Sequence, residues 1–159
     1  CNGLNNICTV PTQARPFDCD IPDRTGDDEP AAGLQLVNLS CVSGIRELRQ
    51  CLFEDDPGDW FQFDVPDNCS AVQIEAQLTF PVAFEPVAIQ LSTEGGAPVT
   101  VDTECDLDNQ EAGQATRCFQ MTVPNGTHYA IGLVHSGIEN CGGECSHNRY
   151  TLNLQLSTP

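Results

Sequence analysis

The chain has 159 residues, 23 Asp and Glu against six Lys and Arg, a net charge of −17 and ten cysteines. That length suits one domain with its own core. The acidic field repels nucleic acid and anionic membrane surfaces, and no apolar run reaches the ~18 residues of a spanning helix.

Residues 1–33 hold Cys1, Cys8 and Cys19, four prolines (Pro11, Pro16, Pro22, Pro30) and the acidic run from Asp23 to Glu29. Proline removes backbone donors and breaks periodicity, so this segment reads as an extended arm pinned by cysteines. Two readings of the arm stand: a tail packed on its own domain, or a docking arm that lies on the next copy. With no basic or apolar leader ahead of Cys1, the numbering reads as that of a mature chain after removal of a signal peptide. Acylation of Cys1 would leave nine other cysteines, an odd number. Parity therefore favours a disulfide for Cys1, within the chain or to a neighbouring subunit.

From residue 34 to 159 the hydrophobic period is two, the mark of half-buried strands. Leu34 and Leu36 begin it. Ile45 to Gln50 shows the nearest approach to a helical period, but its flanking cysteines favour strand. Phe61, Phe63 and Val65 follow, then Val72, Ile74, Ala76, Leu78 and Phe80 alternating with polar residues. Val87, Ile89 and Leu91 continue after a proline break, and Val99 with Val101 adds a short strand. Phe119 to Val123, Tyr129 to Leu133 and Tyr150 to Leu156 complete the set. Turn signals at Asp56-Pro57-Gly58, Glu94-Gly95-Gly96, Pro124-Asn125-Gly126 and Cys141-Gly142-Gly143 separate them. Eight or nine short strands, each with one polar face, make an all-β antiparallel sandwich.

The even cysteine count fits five disulfides in an oxidising, extracellular setting. No paired knuckles or His-x-x-x-His partner complete a zinc site. Spacing alone does not fix connectivity. The pairs that staple one loop or hairpin are Cys141–Cys145, Cys105–Cys118 and Cys41–Cys51, which leaves Cys69 with the three arm cysteines.

Asp28-Glu29-Pro30, then Ala32 and Leu34-Gln35-Leu36, then Asp56-Pro57-Gly58-Asp59-Trp60-Phe61-Gln62-Phe63-Asp64-Val65, resemble the opening of the bacterial pre-peptidase C-terminal domain family. The ending is similar too, in Val123-Pro124-Asn125-Gly126-Thr127-His128-Tyr129 and in Arg149-Tyr150-Thr151-Leu152-Asn153-Leu154. The resemblance covers about residues 28–157. It implies a jelly-roll-like sandwich of the kind appended to secreted proteases and found on cell-surface proteins. Some members bind calcium, collagen or polysaccharide. The chain departs from the pattern in its cysteine content and in carrying no catalytic partner.

Asp55, Asp56 and Asp59 crowd one turn, and calcium takes six to eight hard oxygens from such loops. A second cluster runs through Asp102, Glu104, Asp106, Asp108 and Glu111 without the glycine or terminal Glu of an EF-hand. The competing reading makes all of these solvated turn residues, with Asp59 accepting backbone hydrogen bonds ahead of the strand. Trp60 and Phe61 point to opposite faces, so one lies in the core and the other packs under the arm or stands exposed for sugar stacking. His128 and His135, seven apart, face opposite sides, and no nucleophile elbow exists. Catalysis is therefore not expected. Asn38, Asn68 and Asn125 begin N-glycosylation sequons, and Asn125-Gly126 is also a hairpin-turn signal.

Two functions follow as expectations. One is a non-catalytic structural subunit of an extracellular fibre or surface layer, self-associating through the arm; a head-to-tail contact of that kind gives a filament when its rotation does not close. The other is a calcium-dependent adhesion module for polysaccharide or protein.

Overall fold

The alternating residues place one apolar side chain in two on a common face, and the chain folds into two sheets that bury those faces against each other. A computed structural model describes residues 24, 26–36, 39–53, 56–81, 87–94, 96–105, 114–135 and 147–159. Ten strands appear among them: β1 (Leu34–Gln35), β2 (Arg46–Phe53), β3 (Asp59–Val65), β4 (Ala71–Pro81), β5 (Val87–Thr93), β6 (Val99–Thr100), β7 (Thr103–Glu104), β8 (Gln114–Pro124), β9 (Thr127–His135) and β10 (His147–Ser157). One sheet has the order β1-β3-β9-β5-β6, the other β2-β10-β4-β8-β7. The architecture is the expected all-β sandwich, and no helix occurs among the described residues. All pairings are antiparallel except β1 with β3, where Leu34 and Gln35 run parallel beside Phe61 and Gln62.

The core lies between the sheets. Phe61, Phe63, Ile131 and Leu133 come from the first sheet; Ile74, Leu78, Leu152, Leu154 and Leu156 come from the second. Each is fully buried. Phe63 stacks on Tyr129 with ring centroids 5.7 Å apart. A buried aliphatic or aromatic side chain contributes about 1.5–3 kcal/mol on removal from water, and this set outweighs any single cross-link.

Residues 45–50 form strand as expected, within β2. Gly126 has φ 67°, the left-handed conformation that a two-residue hairpin between β8 and β9 requires. Asn125 locks that turn: its Nδ2 donates to the Asp67 carbonyl at 2.8 Å. The arm over residues 1–23 lies outside the described residues. Its continuation is packed on the sandwich, since the Trp60 amide donates to the Asp27 carbonyl at 2.9 Å.

Cys105–Cys118 forms as expected. The Cys41–Cys51 expectation is corrected: Cys41 pairs with Cys69 across 28 residues, with Cα atoms 5.4 Å apart. Spacing favours the shorter loop, but the segment ahead of β2 folds back over the β3–β4 turn, where buried Cys69 belongs to the core cluster. Cys51 is disulfide-bonded to a cysteine outside the described residues. Cys1, Cys8, Cys19, Cys141 and Cys145 lie outside them too, and with them the Cys141–Cys145 pairing.

Candidate functional site

Three features of the fold could carry function: a buried acidic cluster, the two outer faces, and the sheet edges.

The acidic cluster forms where β3 begins. Asp59 shares the inward parity of Phe61 and Phe63, so its carboxylate points between the sheets. Tyr150, inward on β10, crosses from the opposite sheet, and its hydroxyl donates to Asp59 Oδ2 at 2.6 Å. Asp56 Oδ1 accepts from the Gly58 amide at 2.9 Å, closing the acidic turn. Asp27, Asp56 and Asp59 are all buried. Burial pushes the Tyr150 phenol well above its ordinary 10, followed by the negative charge and hydrogen bond of Asp59 and the charges of Asp27 and Asp56. The phenol is therefore a fixed donor at any physiological pH.

For calcium the donor chemistry is right, since carboxylate oxygens are hard ligands. The spacing is not. Among the described residues no three His, Cys, Asp or Glu side chains are placed to hold one ion. Asp55 lies outside those residues. Asp56 accepts a backbone hydrogen bond within the turn, whereas Asp59 accepts from the Tyr150 hydroxyl rather than from backbone, and both are buried where the competing turn reading made them solvated. In the second acidic run, Asp102 behaves alike: its Oδ1 accepts from the Ile89 amide at 2.9 Å, and its Oδ2 lies 3.7 Å from Arg117. Asp106, Asp108 and Glu111 lie outside the described residues.

The aromatic pair resolves toward packing. Phe61 is in the core, and Trp60, only 3% exposed, lies on the opposite face against Gly132. Trp60 therefore offers no platform for a sugar ring. On that outer face a groove of about 630 Å³ is lined by Glu29, Gln62, Asp64, Glu94 and His128. His128 Nδ1 pairs with Asp64 at the surface. That hydrogen bond and the carboxylate charge raise the imidazole above its ordinary 6.5. The side chains of His135 and His147 lie outside the described set. Of the sequons, Asn68 and Asn125 are exposed, and Asn38 lies outside the described residues.

The edge strands differ in length. Three of the four among the described residues, β1, β6 and β7, have two residues and each covers only part of its neighbour: the eleven-residue β8 pairs with β7 at Arg117 and Cys118 alone. The fourth is β2, eight residues long and paired with β10 alone. Arg46, Glu47 and Arg49 are exposed along it, and Arg149 of β10 stands opposite Cys51. Half of the six cationic residues of the chain thus lie on this strand or its neighbour. Asp27, Tyr150 and the β2 edge were not legible as functional features in sequence. Tyr150 carried one signal: a phenol on the inward parity of a core strand needs a buried partner.

No family model matches the chain, and no curated protein does. Solved structures do. The pre-peptidase C-terminal domain of a collagenase from Bacillus anthracis matches at 15% identity, over 69% of this chain and 87% of that one, with a TM-score of 0.43. The resemblance is one of fold. PliG of Salmonella Typhimurium, a periplasmic lysozyme inhibitor of g-type lysozyme, matches at 13% identity over 78% of this chain and 98% of its own, with a TM-score of 0.44. PliG of Aeromonas hydrophila matches at 12% identity, over 78% and 95%, with a TM-score of 0.45. At these identities the pre-peptidase-like sandwich is a shared architecture, and what each relative binds stays with that relative.

Proposed function

We propose that this chain is a non-catalytic, extracellular structural subunit that associates with copies of itself into a fibre or surface layer. The observation in its favour is the β2 edge. A long exposed edge is a template for strand addition, and proteins that stay monomeric shorten or cover such edges. Here β2 presents eight residues paired on one side only. Addition of an extended acidic segment from another copy to β2 supplies main-chain hydrogen bonds, and Arg46 and Arg49, with Glu47 paired to Arg49, leave the edge net positive in a chain of net −17. The part of the arm ahead of Asp27, with Asp18, Asp20 and Asp23, is the natural donor of such a segment. The cross-links and the packed core give the unit the durability that an extracellular polymer needs.

Sedimentation of the intact oxidised chain, with negative-stain electron microscopy, tests this. Association is expected at micromolar concentration, weakened by the double change Arg46→Glu with Arg49→Glu. A strict monomer at every concentration would remove the proposal.

A further inference from the structure

The register lays a carpet of uncharged polar side chains over the outer face of the second sheet. Thr151, Thr79 and Thr116 form one row across β10, β4 and β8. Asn153 and Gln77 form the next, followed by Gln155, Glu75 and Gln120. Glu75 is the one charge among these eight, and it accepts from Gln120 Nε2 at 3.4 Å. The first two rows continue across β2 into Arg49 beside Thr151 and Glu47 beside Asn153, an ion pair of 2.7 Å, so the face stays close to neutral on a molecule of net −17.

The face is also shaped. Ile45 forms one rim, 66% exposed, with Val42 close by in sequence and 58% exposed. The Cys105–Cys118 disulfide and Thr103 form the other rim, and a groove of about 530 Å³ runs between them. Within that groove Asn153 Oδ1 is buried and has no hydrogen-bond partner. A buried acceptor without a donor is unfavourable until a partner group reaches it.

We infer that a second copy of this chain docks face to face on this surface. The inference rests on the self-association reading above and adds a second contact to the β2 edge. Charge carries it first: two molecules this acidic repel each other over most of their surface, so they approach closest where charge is lowest. Chemistry carries it second. Each Asn or Gln amide holds a donor and an acceptor, so the carpet is complementary to a copy of itself under a two-fold axis. Ile45 and Val42 would be covered in the same contact. Extent carries it third. Four strands about 4.8 Å apart, each at least eight residues long, span roughly 500 Å² in projection, about 1,000 Å² for the pair, which reaches the threshold of a specific interface.

Analytical ultracentrifugation of the full oxidised chain tests the inference with three variants: Asn153→Asp with Gln155→Glu, Gln120→Glu alone, and Arg46→Glu, which stands opposite inward Leu154 and so off this face. Charges added to both copies face each other across the axis, so the first variant is expected to weaken the dimer at least about 100-fold, with circular dichroism unchanged. Gln120→Glu is exposed, keeps the fold, and is expected to act in the same direction. If both face variants associate like the wild type while Arg46→Glu abolishes association, the face-to-face contact is wrong and the edge reading stands. If the wild type is monomeric to about 100 µM, both fail together. Chemical-shift changes at Gln77 and Asn153 on adding a neutral β-linked hexasaccharide to a monomeric chain would replace the second copy with a glycan.

Discussion

Alanine in place of Gly132 sets a methyl group where the Trp60 ring now lies. An ideal Cβ at Gly132 falls 2.5 Å from Trp60 Cδ2 and Cε2 and 2.6 Å from Cε3, closer than any real carbon contact. The ring is rigid and Trp60 is only 3% exposed, so relief requires the indole to leave its seat or β9 to shift against β3. Overpacking of this kind costs about 1–3 kcal/mol, and three clashing ring atoms place it near the top of that range. For a chain of this size 1 kcal/mol moves the melting temperature by about 2–4 °C, so Gly132→Ala is expected to lower it by about 6–12 °C. Trp60 is the only tryptophan, and its emission reports on this one contact. The maximum is expected to move to the red as the ring meets water. A cycle with Trp60→Leu isolates the cause: with the indole gone, Gly132→Ala is expected to cost under about 1 kcal/mol. An unshifted melt and spectrum, or equal penalties in both backgrounds, would refute the packing assignment.

Four further outcomes are open to measurement. Serine at Cys41 and Cys69 removes a 28-residue closure worth about 3.6 kcal/mol by the loop-entropy estimate, and serine at Cys105 and Cys118 a 13-residue closure worth about 2.9, so urea midpoints should fall in that order. Tyr150→Phe deprives the buried Asp59 of its donor and should cost about 1–3 kcal/mol, whereas loss of the hydroxyl without effect would mean that Asp59 is held by other groups. His128 should titrate above 6.5 by NMR and return toward that value in Asp64→Asn. Because the folded-state value is raised, the pair stabilises fully below pH 6.5 and its contribution fades as pH rises through the folded midpoint, so the two melting curves should converge on the alkaline side of that midpoint. Calcium separates the two functional readings: the structural subunit keeps its melting temperature within about 1 °C, while a rise of several degrees, abolished by Asp59→Asn, would return the adhesion reading.

The long strands were legible because alternation over seven or more residues has one explanation, a sheet with one wet face. Val72 to Phe80 and Tyr150 to Leu156 both read correctly on that ground. The short strands β1 and β6 fall where Leu34 with Leu36 and Val99 with Val101 marked them, while β7, Thr103–Glu104, is two polar residues with no period to read, which is why at most nine were expected and ten occur. Pairing Cys41 with Cys69 depends on where a loop lands after the sheets have packed, and sequence distance is a poor guide to that. The acidic turn was visible, but its meaning was not: Asp59 and Tyr150 stand 91 residues apart and meet only because their strands face each other across the sandwich. The edge and the polar carpet likewise exist only once strand order and register are known.

Strand order bears on when the domain can close. β10, the last of the described strands in the sequence, sits between β2 and β4 in the interior of its sheet. Without it β2 has no neighbour among the described strands, and the apolar face of β4 lacks Leu152, Leu154 and Leu156. The second sheet and its half of the core are therefore completed by the C-terminal strand, a contact of long sequence separation that slows closure.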